Sequence, residues 1–414
     1  MGVEFSRFAQ GVHPESAFTV LAIAKKLMGE GKQVYELEIG DSPFASPPQA
    51  LEAATEALVS GQTHYGPSLG LPEFRAAAAD YVDREFGLDV SSDHIIAGHG
   101  AKIFEQLFCE LFLNAGDSVL VFSPHFPTYP ANIERRGGRL CLAALEEQHD
   151  FRPQLSTIEA FIETEERPRA IFLNSPHNPT GGVTTLEDLQ LIARRIESTN
   201  IAVFSDEPYD QMVWKGRHHT LLEVPGMLDR TVAAYSFSKS FSMSGWRLGF
   251  AVSSPEIIHQ MGMLLNTTLS CVPPFIQKAG IAAMNESVDL RNQQMAVFHE
   301  NVSHLVTALD RVEGVRCSMP GGSFYAFPNV SQVCREHQIT SHGLAMYLLE
   351  GADDHRGVAC LGGECFGEAG QGFLRLSCAE SKERLIEAVD FIREAVGHPS
   401  RIRDYLARHP EYRI

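Results

Sequence analysis

The stretch Thr231-Val232-Ala233-Ala234-Tyr235-Ser236-Phe237-Ser238-Lys239-Ser240-Phe241-Ser242-Met243-Ser244-Gly245-Trp246-Arg247-Leu248-Gly249-Phe250-Ala251-Val252 joins two apolar runs through a hydroxyl-rich turn carrying one lysine and one arginine. Thr231 to Tyr235 and Leu248 to Val252 are nearly continuous in apolar character rather than alternating, which suits strands covered on both faces. The same texture recurs upstream at Ser118 to Phe122, Ala170 to Leu173 and Ile201 to Phe204, each followed by turn residues and a helical pattern. Pro72 opens one such helix, with Phe74, Ala77, Ala78, Tyr81 and Val82 on one face. Thr184 and Glu187 form a capping-box pattern ahead of Leu186, Leu189, Ile192, Ala193 and Ile196. Strands alternating with helices predict an α/β fold whose large domain is a mostly parallel mixed sheet sandwiched by helices.

Beyond about Leu290 the texture changes. A helical stretch over Gln293 to Val312 precedes a hairpin-like or strand run, Gly321 to Phe327. Next come a helix near Leu344 to Leu349, strand runs at Val358 to Leu361 and Phe373 to Ser377, and a helix over Lys382 to Val396. This reads as a smaller α+β domain with an antiparallel sheet, ending in a solvated helix from Pro399 to Ile414. The organisation expected is an N-terminal segment 1–47 packing with the small domain, a large cofactor-binding domain 48–290, and a small domain 291–414.

The chain has 414 residues, 44% of them hydrophobic and 21% charged, which excludes a disordered or fibrous chain and fits two packed domains. Its net charge of −18 is opposite to what a phosphate backbone attracts, so no nucleic-acid partner is expected. No apolar run approaches the roughly 20 residues that span a bilayer, so no membrane partner is expected either. Gly2 and Ser6 meet a loose myristoylation pattern that any Met-Gly start meets easily, and this is read as chance. Eight cysteines without a CxxC pair, and seventeen histidines without an HxH or HxxxH grouping, point to reduced, mostly buried thiols and to no metal site. The adjacent His218 and His219 read as a polar loop. A cytoplasmic location is expected.

The chemistry collects at the ends of the strand runs, where open α/β sheets place ligands. Lys239 lies between two core strands, where an amine must be neutralised or used, and such an amine can form a Schiff base with an aldehyde cofactor. Ser236 and Arg247 are placed to hold an anionic group such as a phosphate. Asp206, in Ser205-Asp206-Glu207-Pro208-Tyr209, leaves a core strand and could pair with a protonated pyridine nitrogen, with Tyr209 three residues on. Asn178 sits in the rigid loop Asn174 to Gly182. Gly98-His99-Gly100-Ala101-Lys102 opens a helix whose free N–H groups make a phosphate cradle. Each piece alone has a bland alternative, such as a tight turn, a surface loop or an N-cap. Their occurrence together in this order is far more specific.

Taken together, these motifs resemble the pyridoxal-phosphate-dependent, fold-type I aminotransferases of class I/II (aspartate aminotransferase-like) over about Phe18 to Val396. The resemblance implies a pyridoxal 5'-phosphate enzyme moving an amino group from an L-amino acid to a 2-oxo acid, in amino acid metabolism. Lys239 would carry the Schiff base. Ser236, Arg247, Gly100, Ala101 and Lys102 would bind the phosphate, Asp206 the pyridinium nitrogen, and Tyr209 and Asn178 the phenolate oxygen. Phe126, in Pro124-His125-Phe126-Pro127-Thr128-Tyr129, stands where the family more often stacks Tyr or Trp on the cofactor. Arg375 and Gly40 match the groups that take the substrate α-carboxylate, although Gly-Asp-Ser-Pro-Phe replaces the family's usual Gly-Glu-Pro-Asp-Phe. Tyr65 matches a tyrosine that reaches the neighbouring subunit's phosphate, implying a homodimer with shared active sites. Phe18 and the loop Asn266 to Pro274 are expected to line the substrate pocket. Lys102 also falls where members acting on aspartate place a lysine, which favours an aspartate- or glutamate-type donor with 2-oxoglutarate as acceptor. Related cofactor chemistries (elimination, decarboxylation, oxidation) fit the same residues. A ligand-sensing module would need a separate DNA-binding domain, for which a resemblance starting near Phe18 leaves no room.

Overall fold

In a computed structural model that describes residues 3–12 and 14–414, the central layer is a seven-stranded sheet in the order β2-β8-β7-β6-β5-β3-β4. Its strands are β2 (Ile95–Gly98), β3 (Ser118–Ser123), β4 (Arg139–Ala144), β5 (Pro168–Asn174), β6 (Ala202–Asp206), β7 (Thr231–Ser236) and β8 (Gly249–Val252). β7, β6, β5, β3 and β4 run parallel, while β8 is antiparallel to both β7 and β2. All five apolar runs named above are strands of this one mixed sheet. β2, β3, β6, β7 and β8 are buried along their whole length, between helices on both faces. Two strands lie outside the five runs: β2 is only four residues long, and β4 is an edge strand whose exposed positions dilute the apolar signal. Gly2, of the acylation pattern, lies outside the described residues.

Helix starts follow the local chemistry. Pro72 is the first residue of the helix Pro72–Phe86, where its missing N–H costs nothing. The capping box expected at Thr184 sits one residue on: Thr185 accepts from the Asp188 amide, and the Asp188 carboxylate accepts from the Thr185 amide at 2.9 Å. The Thr184 amide instead donates to Ser175 Oγ, which holds Thr184 in the preceding loop.

The later part of the chain builds β9 (Tyr325–Ala326), β10 (Arg356–Ala359), β11 (Leu361–Gly362) and β12 (Leu374–Ser377). The single antiparallel sheet expected here is replaced by two smaller units. β11-β12-β9 is antiparallel, whereas β10 pairs in parallel with β1 (Gln33–Glu36). The N-terminal residues Val20, Ala24, Val34 and Leu37 share one apolar core with Phe298, Leu305, Leu348 and Leu385. The run Gly321 to Phe327 supplies a short strand rather than a hairpin: Tyr325 and Ala326 pair with β12, and Gly322 bridges to Val213. Position 290 falls inside the helix Val288–Leu309, which starts five residues before the expected Gln293. The last helix, Pro399–Arg408, is packed rather than solvated: Ile402, Tyr405 and Leu406 are buried in the same core.

Candidate active site

The carboxyl ends of β5, β6 and β7 and the start of the helix Lys102–Phe112 open onto one cavity of about 480 Å³, closed from the far side by Gly40, Tyr325 and Arg375. Ala101, Lys102, Phe126, Asn178, Asp206, Tyr209, Ser236, Lys239 and Arg247 line it, and the lining reaches from Glu15 near one end of the chain to Arg375 near the other.

β7 delivers Ser236 and, one turn later, Lys239. The Lys239 Nζ donates to the carbonyl oxygen of Gly40, which ties the turn to the N-terminal segment. The turn ends at Arg247 in a left-handed conformation (φ 54°), and Arg247 Nη1 donates to the Ser244 carbonyl at 2.8 Å. Its Nη2 lies beside Gly100, which is itself left-handed (φ 78°). The positive φ favours glycine here, and a Cβ would come within 2.5 Å of that nitrogen and push the guanidinium away.

β6 ends on Asp206, which is 5% exposed. Its Oδ2 accepts from Tyr129 Oη at 2.6 Å, whereas Oδ1 has no hydrogen-bond partner among the described residues. Burial raises the Asp206 carboxyl above its ordinary range, against the pull of Tyr129. Beside it in the wall, Glu105 accepts from Thr128 Oγ1 at 2.6 Å and Asn132 Nδ2 at 3.0 Å, and burial together with the Asp206 charge raises it too.

Across the cavity, Arg375 stands on β12 under three constraints. Its Nη1 donates to Asn178 Oδ1 at 3.1 Å, its Nη2 donates to the Glu38 carbonyl, and its guanidinium lies 4.5 Å from the Tyr325 ring centre. Tyr209 and Tyr325 share a hydroxyl–hydroxyl bond of 3.1 Å. At the mouth, Lys102 pairs with Glu15, the residue before the helix Ser16–Gly29, and its Nζ lies 5.2 Å from the Phe126 ring centre. Phe18 lines this same mouth.

Two regions named from the sequence lie outside this cavity. Tyr65 is 90% exposed and does not line the cavity of its own chain. The segment Asn266 to Pro274 does not line it either; it packs beside Tyr65 instead. There Asn266 Nδ2 donates to Ser68 Oγ at 2.8 Å, and the Gly66 amide donates to Cys271 Sγ at 3.3 Å. His218 and His219 do lie in a loop, but His218 is buried there against Glu207. Tyr129, Glu105, Ser238, Tyr325 and Glu15 also belong to the lining or its support without having been singled out. The first four carried a signal: Tyr129 and Ser238 lie inside quoted motifs, Glu105 is one helical turn past Lys102, and Tyr325 sits in the Gly321 to Phe327 run. Glu15 carried none.

These residues fit pyridoxal phosphate. An unpartnered, buried carboxylate oxygen on Asp206 is the acceptor that a protonated ring nitrogen needs. Gly100, Arg247, Ser236 and a helix N-terminus form a cationic, donor-rich corner suited to a phosphate. Among the described residues, no group of three His, Cys, Asp or Glu side chains could hold a metal ion, and no helix is long and apolar enough to cross a membrane. All eight cysteines are free thiols.

Residues 32–392 match the family described as aminotransferase class I and II. An aspartate aminotransferase of Pyrococcus horikoshii is 33% identical over 368 residues, covering 88% of this chain and 91% of the relative. An aromatic-amino-acid aminotransferase of Thermococcus litoralis is 30% identical, covering 92% and 95%. The solved aspartate aminotransferase of Thermus thermophilus with maleate superposes with a TM-score of 0.88 at 28% identity, covering 95% of this chain and 100% of that one.

Proposed function

We propose, on the premise that this chain belongs to the aminotransferase class I and II family, that it moves the amino group of an aspartate- or glutamate-type L-amino acid to 2-oxoglutarate, with its cofactor attached at Lys239. Family membership makes the chain a pyridoxal-phosphate-dependent transaminase. One observation carries the assignment of roles. A single cavity brings together the Lys239 amine, the unpartnered Asp206 oxygen and the buried Arg375 guanidinium. An α-amino acid has the matching groups, a carboxylate for the arginine and an α-carbon for the lysine amine.

Pyridoxal phosphate, when bound, supplies an electron-withdrawing ring that stabilises negative charge at the substrate α-carbon. Asp206 would hold the proton on the ring nitrogen. Ser236, Arg247 and the backbone at Gly100, Ala101 and Lys102 would hold the phosphate, and Phe126 would cover one ring face. Asn178 and Tyr209 would donate to the phenolate oxygen, and Asn178 is kept in place by its bond to Arg375. Arg375, with the backbone at Gly40, would fix the α-carboxylate in fork geometry. Lys239 Nζ, freed once substrate arrives, would take the proton from the α-carbon and return it one position along. Lys102 at the mouth supports an acidic side chain on the donor, because it is a cation already paired with a carboxylate, that of Glu15. Tyr65 supports a homodimer with shared sites, because an aromatic ring so exposed in its own chain gains a partner at a neighbour's cavity.

Pairing each amino acid with 2-oxoglutarate and following glutamate formation tests the donor. Aspartate is expected to lead. A preference for neutral donors over aspartate, or release of ammonia without any oxo acid, would overturn the reading. Mixing Tyr65→Ala with Lys239→Ala tests the shared site. Recovery towards a quarter of wild-type activity is expected if subunits scramble freely, since about half the dimers then carry one intact site.

A further inference from the structure

Tyr325 has no part in the scheme above, yet three groups of the site converge on it. It stands on β9 opposite Ser377 of β12 and is 1% exposed. Its hydroxyl lies 3.1 Å from Tyr209 Oη, and its ring centre lies 4.5 Å from the Arg375 guanidinium. The same hydroxyl fills the space beside Gly40, where a Cβ would collide with it. Tyr325 therefore meets the residue assigned to the cofactor's phenolate oxygen and both of those assigned to the substrate α-carboxylate.

Packing alone does not call for a tyrosine at this position. Beside it Phe298 and Phe324 stack at 5.1 Å through bare rings, and a phenyl ring at 325 would lie against Arg375 equally well. The hydroxyl is the part that needs a reason, because a buried hydroxyl is costly unless it is bonded. Among the described residues, its one hydrogen-bond partner is Tyr209. Two facing hydroxyls own two protons but make one bond between them, so one proton remains to be given elsewhere. If Tyr209 gives its proton to the phenolate oxygen, the bond between the tyrosines must run from Tyr325 to Tyr209. Each bond in such a chain polarises the next, and more strongly in a dry wall than in water. The charged groups around the pair are Asp206 at the end of β6, Arg375 on β12 and Lys239 after β7, all lining the same cavity.

We propose that Tyr325 is a positioning residue whose hydroxyl donates to Tyr209 and thereby strengthens the hydrogen bond that Tyr209 gives the cofactor. This rests on the cofactor assignment above. The consequence is a shift in a proton equilibrium. With the cofactor attached at Lys239, its phenolate oxygen and the Lys239 nitrogen share one proton, and the visible absorbance reports whether that proton is present. A stronger donor on the oxygen leaves less negative charge to hold the shared proton, so the proton departs at lower pH. Tyr325 lowers that midpoint without touching the cofactor itself.

The test is a pH titration of the visible absorbance of the pyridoxal-phosphate-loaded wild type, Tyr325→Phe, Tyr209→Phe and the double variant. Tyr325→Phe keeps the ring on Arg375 and is expected to raise the midpoint by about half a pH unit. Tyr209→Phe should raise it further. Adding Tyr325→Phe to Tyr209→Phe should then change nothing, because the hydroxyl acts through Tyr209. An unmoved midpoint in Tyr325→Phe would overturn the proposal. So would an equal shift with and without the Tyr209 hydroxyl, which is what a general loosening of the wall produces. A midpoint that Tyr209→Phe leaves unmoved would overturn the placing of Tyr209 on the phenolate oxygen, and this proposal with it. Failure of wild type to bind the cofactor would overturn the assignment on which both rest.

Discussion

Asp206 and Glu207 are consecutive residues at the end of one strand, both buried, and they face opposite problems. Glu207 is fully provided for: its Oε1 accepts from Ser205 Oγ at 2.6 Å and Thr220 Oγ1 at 2.8 Å, and its Oε2 meets His218 Nε2 at 2.7 Å. Asp206 has one oxygen held by Tyr129 and the other bare at the cavity. Because a strand alternates its side chains, adjacent carboxylates are sent to opposite sides of the sheet. On the closed side a complete set of donors turns a carboxylate into structure. On the open side an incomplete set leaves a carboxylate available for chemistry.

That contrast can be broken by exchanging the two outcomes. Asp206→Asn should lower kcat on the order of 10²-fold or more, because an amide cannot hold the ring nitrogen protonated. Its melting temperature should not fall, since a costly buried charge is removed. Steady-state kinetics beside calorimetric melting checks both halves, and near-normal turnover would hand the ring nitrogen to another residue. Glu207→Ala should do the reverse. Removing one partner of a buried pair costs about 3 kcal/mol, because His218, Ser205 and Thr220 are left with unmet groups. Denaturant unfolding should register this loss, while the folded fraction retains most of its turnover.

A smaller effect sharpens the comparison through pH. Burial pushes His218 down, but the Glu207 charge, their hydrogen bond and the charges of Asp210 and Glu223 prevail and raise it above its ordinary 6.5. A histidine raised in the folded state contributes stability that is fully present below its unfolded value and is lost as pH climbs through the folded one. Wild type should therefore lose stability as pH rises above about 6.5, on account of this pair. His218→Gln should flatten that part of the curve, read by urea midpoints at pH 6 and 8.

The sequence carries much of this in advance, for physical reasons. Strands covered on both faces must be apolar throughout, so β3, β5, β6, β7 and β8 stand out, while the half-exposed edge strand β4 does not. Residues that act together from strand ends are kept near Gly, Pro and hydroxyl-rich turns, which is why Lys239, Asp206, Asn178 and Arg247 are legible. The pairing of Tyr129 with Asp206 is a tertiary contact across 77 positions, and no local pattern encodes it. The parallel pairing of β1 with β10 likewise joins segments more than 300 residues apart. The tail misleads because only Ile402, Tyr405 and Leu406 anchor a helix otherwise rich in charge.

Lys239 is proposed to be the residue that carries the cofactor. Borohydride reduction of the pyridoxal-phosphate-loaded enzyme, followed by peptide mass spectrometry, reads this directly. A single reduced cofactor adduct on Lys239, absent in Lys239→Ala, is expected. An adduct on Lys102, the other lysine lining the cavity, would contradict it, as would none at all on an enzyme that has demonstrably bound the cofactor.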